Sequence, residues 1–93
     1  MPWPPSDEQI EAVSAYLKAA FPGFEVNKTY EDSDMTHHFR LVQKSERKHE
    51  LVVGRVIFDD RTSQEITGLL KLHEVAKKLR QAGPRPFRLP QRD

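Results

Sequence analysis

THHFRLVQKSERKHELVVGRVIF, residues 36–58, is the stretch that decides the fold. Apolar and polar residues alternate on both sides of a polar centre, the pattern of a β-hairpin. With the reversal at Glu46-Arg47, Ser45 faces Lys48, Leu41 faces Val52, Phe39 faces Gly54 and Thr36 faces Ile57. That register predicts one face of His37, Phe39, Leu41, Val52, Gly54, Val56 and Phe58, and a second of His38, Arg40, Val42, Leu51, Val53, Arg55 and Ile57. The first holds the aromatics and no formal charge, so it is expected to form the core. Phe39 is expected to cover the Gly54 backbone.

Outward from the hairpin, Ser6-Asp7-Glu8-Gln9 reads as a capping box, with Pro5 and Ile10 at the staple positions. Ile10, Val13, Leu17, Ala20 and Phe21 then share a helical stripe with Tyr16 at its margin, which predicts an amphipathic helix over 7–20 ended by Pro22-Gly23. Phe24, Val26 and Tyr30 alternate with Glu25, Asn27 and Thr29 as a half-buried strand. Thr62-Ser63-Gln64-Glu65 opens a second helix, whose stripe of Ile66, Leu69, Leu70, His73, Ala76 and Leu79, widened by Leu72, runs to Ala82 before Gly83-Pro84. In the tail, 84–93, Phe87 and Leu89 alternate with Arg88. A short edge strand is expected there, since Pro86 and Pro90 exclude a central one. The expectation is one α+β domain over 1–93, with an ordered core at about 6–82. It is a two-layer sandwich, α-β-β-β-α, with a three-stranded antiparallel meander and the helices on one side.

A chain of 93 residues buries only about 60–65% of its unfolded surface, so one modest core is expected. There are no cysteines, which excludes disulfides, thiolate chemistry and cysteine-ligated zinc. Neither a signal peptide nor an apolar run of about 20 residues is seen, so a cytoplasmic protein without membrane contact is expected. The net charge of +1 hides a polarity: residues 71–93 carry seven basic side chains against Glu74 and Asp93, a balance of +5, which leaves −4 for residues 1–70.

Four groups of residues bear on function. Glu31, Asp32, Asp34, Asp59 and Asp60 fall at one end of the sheet in this register, but their spacing matches no calcium loop, and solvated turns are expected rather than a metal site. The four histidines lack metal-binding spacing; His37 and His38 point to opposite faces, and His73 is expected to be hydrogen-bonded at the core margin. No nucleophile elbow, phosphate-binding glycine loop or dinucleotide fingerprint occurs, so neither an enzyme nor a cofactor is expected. The outer sheet face draws most attention: Arg40, Val42, Leu51, Val53, Arg55 and Ile57 would form an apolar patch rimmed by arginine, an interface for a homodimer or another protein. The alternative is weak nucleic-acid binding by Lys71, Lys78, Arg85, Arg88 and Arg92.

The α-β-β-β-α order over residues 6–82 resembles the double-stranded-RNA-binding domain. In that family RNA is held by the first helix, the loop between strands one and two, and lysines opening the second helix. Here the matching places hold Glu31-Asp32-Ser33-Asp34 and Asp59-Asp60-Arg61-Thr62, and Lys77-Lys78 lies at the other end of the helix. The resemblance therefore carries topology and not RNA binding. The Glu8-Gln9-Ile10 helix start, the Phe21-Pro22-Gly23 stop and the ending Leu79-Arg80-Gln81-Ala82-Gly83 are also similar to short bacterial open-reading-frame products with no assigned activity. The sequence thus leads to a small non-catalytic binding module, expected to self-associate through its outer sheet face.

Overall fold

A computed structural model describes residues 6–31, 33–59 and 61–90. Helix α1 (Asp7–Ala20) leads into a meander of β1 (Glu25–Glu31), β2 (Thr36–Gln43) and β3 (Glu46–Gly54). A single turn, α2 (Arg55–Phe58), follows, then α3 (Ser63–Leu72), α4 (Val75–Ala82) and the short strand β4 (Pro86–Arg88). The sheet order is β1-β2-β3-β4, antiparallel except that β4 runs parallel to β3. The helices cover one face, which makes a two-layer α+β sandwich with the expected terminal strand at its edge.

The hairpin register differs from the sequence reading. The reversal lies at Lys44-Ser45, both with positive φ (54° and 64°), the two-residue geometry that matches strand twist. Phe39 pairs with Leu51 rather than Gly54, and Leu41 with His49. Between Leu41/Val42 and their partners the register shifts, because Lys48 is an extra residue that bulges β3. From His49 to Gly54 the displacement is three residues, an odd number, so every side chain of that stretch changes face. Leu51 and Val53, expected outside, are fully buried beside Phe39 and Leu41, while Val52 moves to the outer face.

The physical reason is the size of the core that each register buries. Phe39, Leu41, Leu51 and Val53 together remove more apolar surface than a face containing Gly54, at about 1.5–3 kcal/mol per large side chain. That exceeds the cost of two left-handed non-glycine residues, about 1–2 kcal/mol each. The same drive ends β3 at Gly54. Ile57 and Phe58 would point to opposite faces of a strand, but one helical turn buries both. Val56, expected in the core, is consequently half exposed at 49%.

Both capping boxes form. Ser6 accepts from the Gln9 amide, and Thr62 accepts from the Glu65 amide while the Glu65 carboxylate accepts from the Thr62 N–H at 2.8 Å. Those backbone and side-chain bonds to Thr62 hold the Glu65 carboxyl below its usual range. Gln9 has a further role: its buried amide donates to the carbonyls of Phe58 (2.6 Å) and Arg61 (2.8 Å), tying the start of α1 to the end of α2.

The expected second helix is two helices. Glu74 takes a left-handed conformation (φ 49°), and the axis turns between α3 and α4. The break buries Val75 with Leu79 and leaves Leu72 67% exposed rather than on the core stripe. It also frees the Ala76 N–H, which donates to the Tyr16 hydroxyl of α1 at 3.1 Å. Arg80 lies over the Phe21 ring and donates to Ala20 O at 2.7 Å, capping the end of α1. His49 contacts Phe21 and Phe24, and its Nδ1 lies 3.0 Å from Gly83 O, joining the hairpin to the end of α4.

Two measurements check this packing. Leu51→Ala is expected to cost about 2–5 kcal/mol in urea unfolding, and Asn27→Ala on the outer face less than about 0.5 kcal/mol; equal small losses would contradict the register. Tyr16→Phe is expected to cost about 1 kcal/mol, by removing the acceptor of the Ala76 N–H.

Candidate functional site

The outer face of the sheet carries no helix among the described residues. Its centre is Glu50 on β3, whose side chain is only 4% exposed. Alternation places it opposite Arg40, and His38 lies opposite its neighbour Val52. The His38 ring Nδ1 is 2.5 Å from Glu50 Oε2, while Arg47 Nη1 at 2.8 Å and Arg40 Nε at 3.6 Å share Oε1. Arg40 also donates to the Thr29 hydroxyl at 3.3 Å.

The chain continues along β2. His38 Nε2 is 3.0 Å from Thr36 Oγ1, which donates to Asp34 Oδ1 at 2.6 Å. Thr36 is fully buried, so its hydroxyl is no accessible nucleophile. Burial pushes the Glu50 carboxyl up, but the His38 hydrogen bond and the charges of Arg40, His38 and Arg47 outweigh it and leave it below its usual range. On the inner face His37 lies among Tyr30, Phe39 and Phe58. Burial, then the charges of His38 and Lys28, push its ring down.

At the end of the sheet nearest α2, Asp34, Met35, Arg55, Val56, Asp59 and Arg88 surround a recess of about 320 Å³ floored by Gly54. Met35 and Val56 are two of the three large apolar side chains that stand exposed among the described residues. Met35 sits at φ 55°, a left-handed position that glycine or asparagine would occupy with less strain. Arg55 pairs with Asp59 at 3.6 Å and its Nη1 is 3.5 Å from Met35 Sδ. The Arg88 side chain makes no hydrogen bond or ion pair with the described residues. A wider furrow of about 590 Å³ lies between α1 and α3, along Ala12, Ala15 and Thr67 with Glu8 and Glu11 on its rim. It is open to solvent.

The expected interface is dismantled by the new register. Leu51, Val53 and Ile57 are fully buried in the core and cannot make contacts. Arg40 and a half-buried Val42 remain on the outer face, and Arg55 stands on α2 at the recess. Of the acidic group, Asp34 and Asp59 meet at the recess as the topology suggested, Glu31 is on β1, and Asp32 and Asp60 lie outside the described residues. No group of three or more metal-ligating side chains is assembled among the described residues. The basic set is split: Lys71 and Lys78 are on the helical layer, Arg85 precedes β4, Arg88 faces the recess, and Arg92 lies outside the described residues. His73 ends α3 with its buried Nε2 unpartnered among the described residues, rather than hydrogen-bonded. Reading from the sequence missed Glu50, His38 and Arg47 as a unit, because only the true register aligns them.

Compared with family models, curated proteins and solved structures, the chain matches none. No described helix is long and apolar enough to cross a membrane.

The shifted groups fix a pH dependence. An unfolded chain protonates His37 near pH 6.5, whereas the folded chain resists it, so the unfolded state binds more protons as the pH falls. Glu50, with its folded value lowered, adds stability above about pH 4.5 that is lost in acid. Unfolding free energy is therefore expected to fall between about pH 7 and pH 5, and His37→Phe to flatten that fall while leaving the more acidic loss from Glu50. Urea titrations across the range check both.

Proposed function

We propose that the chain is a non-catalytic binding domain that recognises protein through the outer face of its sheet, with a second copy of itself as the partner. The observation that carries this reading is the Glu50 cluster. A buried carboxylate holds Arg40 and Arg47 in fixed positions on a face that no helix covers among the described residues, so contacts made by them lose little side-chain entropy. Charges of both signs share this surface, with Arg40 and Arg47 among Glu25 and Glu31. A face of mixed sign suits a self-complementary two-fold contact better than a run of phosphates.

The sheet edges favour the same surface. Lys28 on the edge strand β1 lies opposite Phe39, so it is an inward-facing charge of the kind that opposes strand addition. The other edge, β4, is three residues long and begins with Pro86. Association through either edge is disfavoured, and the broad face is what remains. A cysteine-free domain of this kind is suited to the cytoplasm.

Sedimentation velocity over a range of concentrations tests the reading. The wild-type chain is expected to rise above its 10.8 kDa monomer mass. Asn27→Arg, at an exposed outer-face position without a side-chain hydrogen bond among the described residues, is expected to return it to monomer with unchanged circular dichroism. A wild-type monomer at every concentration removes the self-association reading.

A further inference from the structure

The recess beside α2 has a composition that the protein-binding role does not use. Two guanidiniums and two carboxylates stand around two exposed apolar side chains. The lining has no net charge, so it matches neither a simple anion nor a simple cation. Arg55 and Asp59 are paired with one another at 3.6 Å. Arg88, unpaired among the described residues, and Asp34, which accepts only from Thr36 there, keep spare capacity of opposite sign. The volume, about 320 Å³, lies at the small end for ligand pockets.

Arrangements of this kind fit a small zwitterion with an apolar body. We propose that the recess binds a free α-amino acid with an aliphatic side chain, Arg88 taking the carboxylate, Asp34 the ammonium, and Met35 with Val56 the side chain. The strained backbone at Met35 is consistent with that use, since it holds the thioether at the mouth of the recess, where a flexible, polarisable group can shape itself to differing aliphatic chains. Asp34 is in turn steadied by the Thr36–His38–Glu50 chain, so the ammonium contact is fixed from the centre of the sheet. Binding here is independent of self-association, and a chain that sediments as a monomer leaves it intact.

Titration of the isotope-labelled protein, followed by amide resonances, tests the proposal with valine, leucine and methionine as ligands. Saturable shifts are expected at Met35, Arg55, Val56 and Arg88. Isocaproate, which lacks the ammonium, and isoamylamine, which lacks the carboxylate, are expected to bind at least tenfold more weakly than leucine. Arg88→Gln and Asp34→Asn are each expected to weaken leucine about tenfold, the loss of one charged contact, while Arg85→Gln leaves it unchanged. No saturable shift with any of the three amino acids overturns the proposal. So does equal binding by either single-charge analogue, or an Arg88→Gln protein that binds leucine as the wild type does.

Discussion

The whole molecule depends on Leu51 and Val53 lying on the same side of the sheet as Phe39 and Leu41. That one constraint sets the Lys44-Ser45 reversal, requires a bulge at Lys48 to fit a two-residue turn, and ends β3 early enough for Ile57 and Phe58 to coil inward. The helices then have a complete apolar surface to cover. Val13 and Leu17 of α1, Ile66 and Leu70 of α3, and Val75 and Leu79 of α4 all join the same cluster. Local costs are accepted at Lys44, Ser45 and Glu74, where non-glycine residues adopt positive φ, because burial outweighs each of them.

The outer face follows from that choice. Turning Leu51 and Val53 inward turns Glu50 outward, between His38 and the two arginines. A carboxylate so nearly enclosed is tolerable only where cations and hydrogen-bond donors surround it, and here three residues supply them. The arginines are held in turn by the carboxylate. The recess is a product of the same event, since the α2 turn throws Val56 outward beside Met35 and brings Asp59 toward Asp34.

The elements were legible because their signals are local. Ser6 with Gln9 and Thr62 with Glu65 open α1 and α3, Pro22-Gly23 and Gly83-Pro84 end α1 and α4, and Pro86 and Pro90 confine the tail to an edge. The register was not legible, because Lys-Ser is not a dipeptide that favours two positive φ values and nothing in the string marks Lys48 as a bulge. The stretch 51–58 misleads for a related reason: a run of apolar residues interrupted by a single charge, Arg55, satisfies strand and helical turn alike. The break at Glu74 was hidden because its compensation, the Tyr16 hydroxyl, lies 60 residues away from Ala76. An error of three residues moved half of the expected interface into the core and left Glu50 unconsidered. Asp34 and Asp59, which the expected register also set at one end of the sheet, are still brought together, because a displacement of three residues leaves both loops at that end.

The Glu50 cluster also explains why the chain keeps one register when its strands offer several. Slipping β3 by one residue would bring Glu50 to the helical side, toward the apolar core, with no cation able to follow it from β2. The cost of an unpaired buried carboxylate far exceeds what the slipped apolar contacts could return. A three-residue slip toward the arrangement suggested by the turn at Glu46-Arg47 carries the same penalty, because every odd displacement exchanges the faces. Apolar burial thus selects the face for Leu51 and Val53, and charge excludes the alternatives for Glu50. The two act on adjacent residues of one strand, so the inner core and the outer polar cluster are set together.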